Sequence, residues 1–443
     1  MNYAMRVMNI LISIGSLGLG GAEKQAVWLS NQFAADNDVT LITYHGGKRQ
    51  SELSSKVNWV RLIPEIASEY PYEYLEKSHN ESNREFVRAE TSFVKNIFSL
   101  RTPRLRRSKN EIWLWLKTYL KKSKIAMRFS RSRIVIQVIN KFLSSVSLIR
   151  SFWEVHKLIS NTKPRFVVTF LYHDTLILGL ATLLRMNPPR LIVGRRSPFG
   201  YCDENRILIE KWLMRWIYRK ADAAVTNSTS NVPNAILDGI ALEKISLIEN
   251  FVDSDVNRFR ESNEEQLSLL CIANFHHYKN HFNLIKAISN FHGRVKVTFL
   301  GEGPLKVAAI DLARDLKVDS QFYGHEDQQD VLTHKMDFFV LPSKFEGNSN
   351  ALLEALIEGF PAITTPVGIA SQLCKIGAPV IVTSGFDVED FEDAIHRALC
   401  EKDYYSSVAK SFMHTIARAH SKQTIFTQWS NLLDNLSASP KEK

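Results

Sequence analysis

Short apolar runs rich in Val, Ile and Leu recur along the chain, with mixed polar stretches between them. In the first half they fall at residues 8–14, 39–44, 58–63, 166–170, 191–193 and 223–226. In the second half they fall at 269–273, 295–300, 321–323, 338–341, 362–364 and 380–383. Runs that are apolar at successive positions suit parallel strands covered on both faces. Between the first two, residues 22–35 place Ala26, Leu29 and Phe33 on one helical face. Strands alternating with helices over this length predict an α/β fold of two parallel sheets with right-handed crossovers. The expected organisation is a Rossmann-like domain over 1–245 and a second over 246–415, joined near 250–260 with a cleft between them. A C-terminal helix over 416–443 is expected to pack back on the first domain.

The rhythm lapses between residues 70 and 146, which predicts a helical insertion in the first domain. Within it, Ile112, Trp115, Leu116, Tyr119 and Leu120 repeat at helical spacing, while Lys117, Lys121, Lys122 and Lys124 fall largely off that stripe. The net charge of +10 also concentrates here: residues 101–133 hold twelve basic residues against Glu111 alone, which is +11, so the rest of the chain sums to −1. A basic amphipathic helix with aromatics has the composition of a helix lying in an anionic membrane interface. A helical insert with merely solvated lysines is the plainer alternative. No nucleic-acid module accompanies the charge, so nucleic acid is not expected as a partner.

Other classes are excluded more simply. The four cysteines, Cys202, Cys271, Cys374 and Cys400, have no paired short spacing, which argues against a zinc site or a disulfide framework and suits a reducing cytoplasm. The apolar start after Arg6 resembles a short signal peptide, but it runs into a glycine turn and a helical pattern, as a buried first strand would. No segment reaches the roughly 18 apolar residues of a spanning helix. The glycines at 15, 18, 20 and 21 lack dinucleotide-binding spacing, and the next strand ends without the acid expected for an adenosine ribose.

The segment LPSKFEGNSNALLEALIEGFPAITTP (341–366) carries the clearest chemistry. A strand ends at Leu341, Ser349 or Asn350 caps a helix beginning at Ala351, Gly359 suits a left-handed C-cap, and Pro361 prevents continuation. The amides freed at that helix start, beside Gly347 and Asn348, form a concavity for negative oxygens. Glu354, one turn further in, is placed to accept both hydroxyls of a ribose diol, and Glu346 to meet hydroxyls of a second sugar. Carboxylates cannot hold a diphosphate, so a cation must, and Lys279 in IANFHHYKNHFNLIKAI is the candidate. His173 and Asp174 follow a strand and read as an acid–base pair, as acceptor contacts, or as a polar strand end.

Taken in order, GGAEKQ (20–25), DAAVTNS (222–228), NFVD (250–253), YKNH (278–281), GEGP (301–304), FYGH (322–325) and EGNSNALLEAL (346–356) make the chain resemble the retaining glycosyltransferases of family 4, with the GT-B fold. The resemblance implies that Glu354 binds the nucleotide ribose, Glu346 the transferred sugar and Lys279 the diphosphate. It places the base near Tyr323–His325 and has Gly20 and Gly21 close over the donor. It also implies no metal or other cofactor, a UDP- or GDP-sugar donor, a lipid-linked glycan acceptor, and a cytoplasmic enzyme held at the inner face of the cell membrane. Three departures stand out. An arginine expected shortly before the lysine is missing, so His276, or Arg195 or Arg196 from the first half, is the candidate replacement. The latter pair also stands where many members have a histidine, and Phe251 replaces the glycine of NGVD. The rival readings are a GT-B-fold sugar-nucleotide epimerase and a non-catalytic glycan-assembly scaffold.

Overall fold

The first six apolar runs pair side by side, because each is predominantly apolar on both faces and finds cover between helices. In the computed structural model, which describes residues 7–18, 20–62, 150–196, 208–253, 260–261, 265–324 and 335–440, they form most of a seven-stranded parallel sheet. Its strands are β1 (Asn9–Ser13), β2 (Asp38–Thr43), β3 (Asn58–Arg61), β4 (Phe166–Thr169), β5 (Arg190–Arg195), β6 (Ala223–Thr226) and β7 (Ile245–Leu247), in the order β3-β2-β1-β4-β5-β6-β7. β1 therefore lies inside the sheet, paired with β2 and β4. The three residues of β7, half-buried or exposed and at the sheet's edge, carry too weak a pattern to have been anticipated.

The second set forms a six-stranded sheet from β9 (Leu267–Ile272), β10 (Val295–Leu300), β11 (Ser320–Tyr323), β13 (Phe338–Leu341), β14 (Ala362–Thr364) and β15 (Val380–Val382). Its order is β11-β10-β9-β13-β14-β15. A small extra sheet pairs β8 (Arg260–Glu261) with β12 (Lys335–Met336). Helices α1 (Gly21–Phe33), α2 (Tyr172–Leu183), α3 (Leu208–Lys220) and α4 (Val232–Leu237) accompany the first sheet. The second is accompanied by α5 (His281–Ser289), α6 (Lys306–Asp315), α7 (Asn350–Ile357), α8 (Ala370–Lys375) and α9 (Val388–Cys400), followed by α10 (Lys402–Ala419) and α11 (Lys422–Ala438). This is the GT-B arrangement of two doubly wound α/β halves.

The chain divides into two units, Met1–Glu65 with Ile159–Lys443, and Ile66–Leu158; both sheets belong to the first. Within that unit, Ile425, Trp429 and Leu433 of α11 enter the core of the first sheet, with Trp429 stacked on Phe170 at 6.2 Å. No helix among the described residues is long and apolar enough to cross a membrane. The basic stretch with Trp115, Lys117, Lys121, Lys122 and Lys124 lies outside the described residues.

Candidate active site

Each sheet reverses its strand succession once, between β1 and β4 and between β9 and β13. Loops leaving two such strands diverge, which opens a crevice at their carboxyl ends. Gly20 and Gly21 follow β1, His173 follows β4, His276 and Lys279 follow β9, and Glu346 to Asn350 follow β13.

The β13 loop delivers its residues through a capped helix. Ser349 caps α7, its hydroxyl accepting the Leu352 amide at 3.4 Å and its carbonyl the Leu353 amide at 3.2 Å. The helix thus starts at Asn350, one residue before the pattern suggests, and ends at Ile357, with Gly359 just beyond it at a φ of +82° that suits glycine. On the facing loop, the Tyr278 carbonyl accepts the Lys344 amide at 2.7 Å, which draws the two loops together. The Lys279 ammonium consequently donates to the Glu346 carboxylate, which also accepts Ser343 Oγ at 2.8 Å. Burial works to lower the lysine's pKa, but the charge and hydrogen bond of Glu346 outweigh it and hold the pKa above its ordinary value. Burial pushes the nearby Cys271 thiol up to about 12, so it stays neutral. His276 stacks on Tyr278 at 5.6 Å, with its Nδ1 buried and without a hydrogen-bond partner among the described residues.

The two halves meet across this site through motif residues that sequence reasoning left without a role. Lys24 of α1 binds Glu354 Oε1 at 3.0 Å and Asp253 Oδ2 at 3.3 Å. Gln25 clasps the backbone of Phe251, donating to its carbonyl at 2.9 Å and accepting its amide at 3.1 Å. Phe251 itself is buried against Trp28 at 4.3 Å, so the large side chain at this family-glycine position fills the joint between halves. Asn250 donates to the Asn348 carbonyl at 3.0 Å and to Asn350 Oδ1 at 2.7 Å, and Asn348 donates to the Asn227 carbonyl at 3.1 Å. Gly347 lies so close to the first half that a Cβ there would sit 2.2 Å from the Arg196 carbonyl oxygen. The signal for Lys24, Gln25 and Asn250 was their place in GGAEKQ and NFVD, but a spacing alone does not say what a side chain grips.

Comparison with known proteins bears on this region: residues 253–411 match the model of the glycosyl transferases group 1 family. Among curated relatives, an N-acetylgalactosamine-N,N'-diacetylbacillosaminyl-diphospho-undecaprenol 4-alpha-N-acetylgalactosaminyltransferase of Campylobacter jejuni is 29% identical over 190 residues, 40% of this chain and 52% of the relative. The lipopolysaccharide core biosynthesis glycosyltransferase LpsE of Rhizobium meliloti is 24% identical over 223 residues, 49% of this chain and 65% of the relative. The chain spans about half the length of the first curated relatives it matches. Among solved structures, Anabaena Alr3699/HepE in complex with UDP-glucose superposes with a TM-score of 0.65 at 12% identity, covering 98% of this chain and all of the other. Sucrose-phosphate synthase from Thermosynechococcus elongatus gives 0.65 at 13%, covering 98% and 100%.

The remaining candidates separate by their surroundings. Gly20 precedes α1 in extended conformation, and a Cβ on Gly21 would lie 3.0 Å from Asn350 Nδ2, so the first-half glycines sit over the start of α7. Tyr323 is half-buried, its hydroxyl donating to Gln321 at 3.2 Å, and His325 lies outside the described residues. His173 is exposed, while its neighbour Asp174 is fully buried. Burial, with a smaller push from Glu23, raises the Asp174 pKa to about 7 against the lowering effects of the Leu171 amide and Ser13. Arg195 is bound to Asp238 at 2.8 Å inside the first half and is committed there. Arg196 has no such carboxylate among the described residues; its Nη1 donates to Asn250 Oδ1 at 3.0 Å.

Proposed function

We propose that the protein transfers a hexose-type sugar, with retention of anomeric configuration, from a UDP- or GDP-sugar to a lipid-linked or growing glycan. The observation that carries this reading is the convergence of Glu354, Glu346 and charged Lys279 on the crevice at the strand ends. In the proposed chemistry Glu354 accepts the ribose diol and Lys279 turns from Glu346 toward the diphosphate. Glu346, so released, receives hydroxyls of the transferred sugar. The C1–O bond to phosphate breaks as an acceptor hydroxyl attacks C1 from the same face. The acceptor's proton passes to the departing phosphate oxygen, and the new glycosidic bond keeps the original configuration. Lys279 and the α7 amides meet the charge growing on the leaving nucleotide, the task a metal performs elsewhere. The lipid-linked acceptor of the Campylobacter relative supports this acceptor class, and UDP-glucose in the Anabaena structure supports this donor class.

The basic insertion motivates a place on the inner face of the cell membrane. Changing Lys117, Lys121, Lys122 and Lys124 to Glu should move the protein out of the membrane fraction, and unchanged partitioning would defeat this part of the reading. Transfer itself is tested by incubating the protein with native membranes and labelled UDP-, GDP- and ADP-sugars. Label entering lipid supports the reading. Conversion of the donor to an epimer without acceptor would point instead to an epimerase, and tight binding without transfer to a scaffold.

A further inference from the structure

The arginines at the two ends of β5 are each neutralised by an acid. Arg190 binds Asp222 at 2.8 Å and Arg195 binds Asp238 at 2.8 Å. Arg196, just past the end of β5, differs. Its guanidinium lies 4.4 Å over the Phe170 ring and, among the described residues, makes one hydrogen bond, to the amide oxygen of Asn250. Its Nε is buried with no partner among the described residues. No carboxylate of the described residues offsets its charge, and burial pulls its pKa down to about 10. A cation partly withdrawn from water without a counter-charge is held at a cost, and planar guanidinium is built to take two oxygens of one anion.

Its surroundings point the same way. Asn250, which holds Arg196, also holds Asn350, the first residue of α7. The amides of Asn350 and Ala351 have no hydrogen-bond partner among the described residues, and a helix start favours negative charge. The Arg196 carbonyl is packed on Gly347, next to Glu346 and the Lys279 ammonium it binds. Across the crevice, the position before Lys279 where charge is missing holds His276, not arginine.

We propose that Arg196, and not Arg195, is the second cation of the diphosphate site, reaching from the first half to grip phosphate oxygens against the start of α7. The ligand class is a diphosphate ester, carried by the nucleotide sugar or by a lipid-linked acceptor. This inference rests on the glycosyl-transfer reading for its substrate, but the charge argument for a diphosphate stands without it. Because the cation comes from the half opposite Lys279, diphosphate binding draws the two halves together.

The test measures, by calorimetry on the full chain, affinities for inorganic pyrophosphate, UDP, UMP, GDP and GMP. It compares wild type with Arg196→Gln and Arg196→Lys, with thermal unfolding run in parallel. Arg196→Gln should weaken the preferred nucleoside diphosphate ten- to a hundredfold and the monophosphate less than threefold, with Arg196→Lys between. If diphosphate affinity is unchanged while the KM for lipid-linked acceptor rises at least tenfold, the arginine serves the acceptor's diphosphate, and the site stands. Wild type that binds pyrophosphate through Arg196 but no nucleotide keeps the site and sinks the donor reading. Wild type and Arg196→Gln that bind nucleoside diphosphate equally, with acceptor KM also unchanged, overturn the inference and leave that reading intact. A lower unfolding temperature with an unaltered diphosphate-to-monophosphate ratio overturns it too, since a purely structural arginine predicts that result.

Discussion

The ion pair between Lys24 and Glu354 offers a quantitative test of how the halves are joined. Removing the ammonium with Lys24→Met breaks a contact of 3.0 Å whose side chains are 16% and 13% exposed. At an effective dielectric near 20 the gross attraction is about 5 kcal/mol. Desolvation and side-chain ordering cancel most of it. Exposed pairs contribute about 0–1 kcal/mol and buried pairs cost about 3–5 kcal/mol when one member is removed. This half-buried pair should therefore show a coupling of about 1.5 kcal/mol. Asp253 is not stranded by the change, because Lys422 binds it at 2.5 Å. Urea unfolding followed by tryptophan fluorescence reports the joint directly, since Trp28 packs on Phe251 beside it. The assay compares wild type, Lys24→Met, Glu354→Gln and the double variant. The summed losses of the two single variants should exceed the loss of the double variant by about 1.5 kcal/mol, and the excess should shrink in 1 M salt. Additivity within about 0.3 kcal/mol would refute the reasoning and make the contact incidental.

Two further outcomes follow from the geometry. Asp174 keeps its proton in the folded protein up to about pH 7, whereas unfolded aspartate loses it near 3.8. Over that window the folded state binds more protons, so wild-type stability should fall as pH rises, by up to about 4 kcal/mol between pH 4 and 8. Asp174→Asn should flatten that slope, as urea midpoints at pH 5 and pH 8 will report, and an unchanged slope would contradict it. Gly347→Ala sets a methyl group against the Arg196 carbonyl, where a Cβ sits only 2.2 Å away, and backbone on both sides must move. Nucleoside diphosphate affinity should drop at least tenfold, measured by calorimetry; wild-type affinity would mean that the halves need not meet there.

Much of this architecture was readable in the sequence because strands buried on both faces are apolar at most positions. β6, β10, β13 and β14 fall within the limits their runs suggested. β7, β8 and β12 escaped because two or three residues at a sheet's margin carry no period. The helix signals around Ser349 and Gly359 were strong for a related reason: capping chemistry is local and needs no knowledge of the fold. Contacts between residues distant in the sequence, whether 43 or more than 200 residues apart, were invisible. Nothing in NFVD says that Phe251 seats on Trp28, and nothing in GRR says that Asp238 claims Arg195 and leaves Arg196. Lys279 illustrates the intermediate case. Its type and position suggested a phosphate cation, but only the structure shows that Glu346 holds it.

Glu354 is the pivot, because the proposed donor site and the junction of the halves both run through it. The most direct measurement is calorimetric binding of UDP-, GDP- and ADP-sugars to wild type and to Glu354→Ala, with thermal unfolding to show that the variant is folded. The account predicts that wild type selects one base and that Glu354→Ala weakens that donor by about thirtyfold, near 2 kcal/mol. Equal donor affinity in a folded Glu354→Ala protein, or no nucleotide-sugar binding by wild type, would contradict it.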